Sequence, residues 1–221
     1  EYPSIVLFTP LSMSIYTQKG AKTISVSSVS TDGIAKVTGI PADNADLLAY
    51  GKAVADVLEK AMPNGKFEAL NYKIEKPKGE LVHKFSMEMT EQGEEVEEAL
   101  EGFQAEIEGE LETVGFVMAG FNSLAAEFAE AGIDSYDFFD AYSICKVPVI
   151  FEVSKTHPEA GAFAPCTVYM YKKKGDTVVH MAYPSVYNWI SSVDIEDKPS
   201  MDALLKAQDA MNAAINEVTE E

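Results

Sequence analysis

At 221 residues, 47% hydrophobic and 24% charged, the chain can bury one generous core or two small ones, and its composition is neither disordered nor collagen-like. All 17 basic residues are lysines, which excludes planar bidentate capture of phosphate by arginine. A formal net charge of -19 makes nucleic acid and anionic membrane surfaces poor partners.

No apolar run approaches the ~18 residues of a membrane span, so no membrane insertion is expected. Glu1 follows no basic-then-apolar leader, and the expectation is that a targeting segment has been removed. From the N-terminus, Ile5 to Phe8 is an apolar, strand-like run. Thr23 to Ser30 alternates Ile24 and Val26 with serines, and Thr31-Asp32-Gly33 is a turn signal before Ile34 to Ile40, so a β-hairpin is predicted. Asn44 or Asp43 caps a helix carrying Leu47, Val54 and Leu58, stopped by Pro63-Asn64-Gly65. Two strand candidates follow, Phe67 to Ile74 and Leu81 to Met89, and Lys76-Pro77-Lys78-Gly79 between them marks a domain boundary.

Val96, Leu100, Phe103, Ile107, Leu111 and Val114 recur at spacings of three and four with glutamates opposite, which predicts an amphipathic helix over 91–112. The window from Phe85 to Cys145 holds 16 acids and no lysine, so the acidity is one block. It is either a solvated helix face or a docking surface for a basic protein partner. Val114 to Ala119 reads as a buried strand, Ser123 to Ala131 as a short helix ended by Gly132, and Tyr142 to Cys145 as a strand. Propensity extends that strand through Val153, yet Pro148 suits the first turn of a helix. Cys166 to Tyr171 and Thr177 to Ala182 form a second hairpin, and Ser200 caps a last helix bearing Leu204, Gln208, Met211, Ile215 and Val218. This order predicts an α+β fold, helices packed on a mostly antiparallel sheet. It divides into an N-terminal extension of hairpin and helix over 1–78, an α+β domain over 79–185, and a C-terminal helical segment over 186–221.

The strand and long helix ending in Val114-Gly115-Phe116, the later strand ending at Cys145, and the run Gly161-Ala162-Phe163-Ala164-Pro165-Cys166 into Thr167-Val168-Tyr169 resemble the domain-of-unknown-function family numbered 302. The resemblance covers about residues 81–183. It implies a TATA-binding-protein-like α+β topology, a homodimer, and export to the periplasm. It also favours helix over strand for Pro148 to Lys155. Here Cys145-Lys146-Val147-Pro148 is one residue longer than the family's cysteine-to-proline spacing.

Phosphate-loop, dinucleotide, serine-elbow and zinc-protease motifs are absent from the sequence. Cys145 and Cys166, 21 residues apart without a CxxC, leave open a disulfide, two separate thiols or one reactive thiol. Pro165 holds the backbone before Cys166, so a thiol-dependent redox or sulfur-handling reaction there would enlist His157 or Cys145, with Phe163 in the same loop. The other reading is a buried structural cysteine. On the strand Leu81 to Met89, His83 shares a face with Leu81, Phe85, Met87 and Met89, while His180 shares one with Val178 and Ala182. A neutral imidazole among apolar side chains can ligate haem iron, and 11 of the 22 aromatics fall between Tyr136 and Trp189. The leading expectation is therefore a cofactor- or small-ligand-binding module, with haem at His83 and His180. Each could instead be a core histidine donating to a carbonyl. Asp134, Asp137 and Asp140 lack calcium-loop spacing and read as a solvated acidic edge, and no metal site is expected.

Overall fold

A computed structural model describes residues 2–70 and 76–220. The chain opens with a 3-10 turn, Pro3–Phe8. Strands β1 (Met13–Tyr16) and β2 (Ser25–Ser28) pair antiparallel, and helices α1 (Thr31–Thr38) and α2 (Ala45–Ala61) follow. Next come β3 (Val82–Glu88), α3 (Glu95–Thr113), β4 (Val117–Ser123), α4 (Ala125–Glu130), β5 (Tyr136–Cys145) and α5 (Val147–Ser154). A second 3-10 turn (Pro158–Phe163) leads to β6 (Cys166–Lys173), β7 (Val178–Pro184), α6 (Tyr187–Ser192) and α7 (Lys198–Thr219).

Five strands form one antiparallel sheet in the order β3-β7-β6-β5-β4. Helix α3 therefore carries the chain from one sheet edge to the other. Its apolar stripe of Val96, Phe103, Ile107 and Leu111 is buried with Met211, Ile215 and Val218 of α7 against Val168, Met170, Val179 and Met181. The opposite sheet face packs Phe139, Ala141, Tyr169 and Ala182 against Val6, Leu7, Phe8, Ile34 and Leu47 of the N-terminal segment. A third cluster, Val153, Trp189, Ile190, Ile195 and Leu204, closes one end of the sheet. The fold is α+β, with helices on an antiparallel sheet.

Several elements differ from the sequence expectation. Ile34 to Ile40 is helical, because Ser30 accepts from the Gly33 N–H as an N-cap and makes Thr31-Asp32-Gly33 a first helical turn. The strand paired with β2 is β1, upstream of it. Ile5 to Phe8 lies in a 3-10 turn, with Pro3 in its first turn. Residues 67–70 carry no regular element, and 71–74 of that expected strand lie outside the described residues. β4 is an exposed edge and not a buried strand. Asp197, not Ser200, caps α7, and Ser200 is the residue whose N–H it accepts, at 2.9 Å.

Candidate functional site

A cleft opens where β5 ends, β6 begins and β7 ends. Cys145 closes β5 because α5 starts at Val147, with Pro148 in its first turn. Cys166 opens β6 directly after the Phe163–Pro165 loop. Val149 and Ile150 of α5, Trp189 of α6, and Leu204 and Met211 of α7 complete the walls of a cavity of about 50 Å³.

Its polar neighbours are already engaged. The Gln208 side-chain oxygen accepts from Ser185 Oγ at 2.8 Å and from the Val186 N–H at 2.9 Å. Tyr183 donates its hydroxyl to Asn212 Oδ1. Lys146 Nζ donates to the Val114 carbonyl at 2.6 Å and sits 5.0 Å from the Phe116 ring centroid. Cys166 Sγ donates to the Phe163 carbonyl at 3.6 Å. Burial, reinforced by the nearby Cys145 thiol, pushes Cys166 up to about 12, against a smaller opposing effect from the Trp189 side chain bonding to the sulfur. Burial also raises Cys145. Both cysteines are free thiols. Ile144 pairs with Cys166 across the sheet, so strand alternation turns Cys145 toward the opposite face even though both residues border the cleft.

The remaining nominees lie apart. His83 sits on the α3/α7 face, stacked on Tyr183 with centroids 5.0 Å apart, and its Nε2 is buried without a hydrogen-bond partner among the described residues. His180 pairs with Ser86 and so occupies the other face, where its ring lies 5.1 Å from Tyr171 and its Nε2 is 3.9 Å from Asp176. The two histidines do not share a face: His83 pairs with Tyr183, His180 with Ser86, and Tyr183 and His180 are three positions apart on β7, which reverses the side. One planar cofactor cannot bridge the two rings through the sheet. His157 bonds Thr156 Oγ1 at 2.9 Å and lies 3.8 Å from Asp197, so it is held at the start of α7 and not as a base on Cys166. Phe163 packs 5.9 Å from Trp189.

Asp137 and Asp140 are not a solvated edge. Asp137 Oδ2 pairs at 2.6 Å with Lys172, a fully buried lysine, and Asp140 is buried and accepts from Gln104 Nε2 at 2.8 Å. Among the described residues no group of three or more His, Cys, Asp or Glu side chains could hold a metal ion. The sequence reading missed Trp189, Tyr183 and Met211. Trp189 is the chain's one tryptophan, and its short helix α6 carries no extended periodicity that would have flagged it.

The profile of the family described as domain of unknown function DUF302 matches residues 88–218, from the last residue of β3 through most of α7. A crystal structure of an uncharacterized conserved DUF302 protein from Bacillus stearothermophilus is similar over 61% of this chain and 97% of that one, at 13% identity and a TM-score of 0.49. No curated protein matches the chain.

Proposed function

The chain belongs to the DUF302 family, and from that premise we propose that it is a binding module for a small apolar ligand, held in the cleft beside Cys166, Tyr183, Trp189 and Met211. The observation that carries this reading is the state of the polar groups around the cleft. Gln208, Tyr183, Lys146 and Cys166 each hydrogen-bond to a protein partner. A ligand entering therefore meets carbon and sulfur, and a polar one would lose its water without compensation. The cavity, about 50 Å³, is far below the ~300–1,000 Å³ of sites for drug-sized ligands, so the ligand has only a few heavy atoms. A porphyrin does not fit it.

A thiol-dependent reaction is the weaker reading. The thiolate is the nucleophile, and a thiol pushed up to about 12 by burial stays protonated at neutral pH.

Trp189, as the one tryptophan, reports the cleft directly. Titration with chloroform, a small apolar quencher, should give saturable quenching of Trp189 emission and a raised Tm. Ala207→Phe, which fills the cleft, should remove the saturable part. Quenching that only rises linearly, or that is equally saturable in the filled variant, refutes the reading.

A further inference from the structure

We infer that the outer edge of β4 is a docking site for an extended, basic segment of a partner protein, added to the sheet as a sixth strand. β4 is the last strand on its side, bonded to β5 alone among the described strands. Natural edge strands are normally guarded by charge, proline or a covering element. The other edge, β3, follows that rule with exposed Lys84 and Glu88. β4 carries neither charge nor proline over Val117–Ser123, and six of its seven residues are exposed. Val117 and Phe121 stay 55% and 49% accessible, one on each face, since Val117 pairs with Cys145 and Phe121 with Tyr142. A bulge between Met118 and Gly120 leaves Gly120–Ser123 as the regular stretch for a new ladder.

Charge decides the occupant. The block from Phe85 to Cys145, which contains β4, holds 16 acids and no lysine. Glu108 lies beside the Tyr142 hydroxyl, and Tyr142 in turn packs 4.9 Å from Phe121. Glu101 and Glu112 are exposed on the same helix. A second copy paired edge to edge would bring the acids at the β4 end of the two blocks, Glu108 and Glu112 among them, toward one another within roughly a Debye length, about 8–10 Å. A strand alternating lysine with apolar residues meets the same field with opposite sign. Its main chain pairs with β4, and its apolar side chains cover Phe121 or Val117.

The probe is a blocked seven-residue peptide alternating lysine and valine, followed by calorimetry and by amide hydrogen exchange of the whole protein. Binding should slow exchange at 117–123 and weaken about tenfold or more between 0.05 and 0.5 M NaCl. It should weaken about tenfold for Asn122→Lys, and similarly for a peptide of equal charge with proline at its centre, which cannot complete the ladder. Three results would overturn the inference: equal binding by the proline peptide, protection confined to α3 with β4 unchanged, or a dimer formed through β4 that salt strengthens. None of them bears on chloroform quenching of Trp189, so this surface and the cleft stand or fall separately.

Discussion

The two faces of the five-stranded sheet solve the same burial problem differently. Under α3 and α7 the core admits polar groups: Lys172 pairs with Asp137, Asp140 accepts from Gln104, and Tyr183 donates to Asn212. Under the N-terminal segment the core is apolar and aromatic, built from Phe139, Tyr169, Val6, Leu7, Phe8 and Ile34. Long helices present side chains at fixed intervals, so Gln104 of α3 and Asn212 of α7 arrive where a buried partner needs them. The N-terminal cover is made of a 3-10 turn and shorter helices, which offer fewer such fixed positions, and there close packing of rings does the work.

The severest break in this contrast is Asp137→Ala. It leaves Lys172 buried and uncompensated, and unfolding in urea should show a loss of ~3–5 kcal/mol. Adding Lys172→Met should return much of that loss, since a well-packed apolar side chain tolerates the site better than an orphaned charge. If the single variant costs under about 1 kcal/mol, the pair is not the determinant of this face.

Truncating one fully buried isoleucine on each face sharpens the comparison. Ile215→Ala and Ile34→Ala each remove a side chain at 0–1% exposure, and each should cost ~2–5 kcal/mol locally. Ile215 anchors α7 against the sheet, so its loss should lower hydrogen-exchange protection throughout the sheet. If that cover opens as its own unit, Ile34→Ala should lower protection over the N-terminal segment and leave α3 and β5 nearly unchanged. Equal loss of protection everywhere would show that the two faces unfold together.

The same contrast explains what the sequence revealed. α3 and α7 were legible because their apolar residues recur at helical spacing over 19 and 22 residues. β5 was only half seen. It is covered on both faces, so Phe138, Phe139, Ala141, Tyr142 and Ile144 form a run without alternation, and the aspartates inside it suggest a surface. α1 was misread because Ser30-Thr31-Asp32-Gly33 serves equally as a turn or as a cap and first turn, and packing of Ile34 decides between them. Cys166 was legible as the start of a strand after a proline-bearing loop, whereas its place beside a cleft was not. The cleft itself came from α5, α6 and α7 converging on one sheet end, a long-range arrangement that no local spacing encodes.

A smaller effect tests how the N-terminal segment reaches the cleft. β1 and β2 hold the second 3-10 turn through Ser14 Oγ donating to the Pro158 carbonyl at 2.7 Å and Ser27 Oγ donating to the Glu159 carbonyl at 2.9 Å. A Cβ on Gly161 would stand 2.6 Å from Ser14 Oγ. Gly161→Ala should therefore cost ~1–3 kcal/mol and shift Trp189 emission, because Phe163 of the same turn packs on that ring. Ser14→Ala should relieve part of the cost. An unchanged Trp189 spectrum would mean the clamp does not reach the cleft.

The smallest effect is a pair of opposite pH dependences. Asp197, half-buried at the start of α7, is held below the ordinary carboxylate range first by the Ser200 N–H and then by Ser200 and Thr156 side chains and by His157. A lowered folded value means that the folded state binds its proton less tightly, so the cap's contribution is present above the unfolded value of ~3.9 and fades as pH falls through the folded one. Asp140 has the reverse sign. Burial raises it, against weaker help from Ser123 and Gln104, so the folded state prefers the proton and stability falls as pH climbs from ~3.9 through the raised value. Asp197→Asn should flatten the acid limb of a stability–pH curve, while Asp140→Asn should flatten the limb above it. If both substitutions act on the same limb, the buried carboxylate of the helix-covered face behaves like a surface one, and the distinction between the two faces loses its electrostatic half.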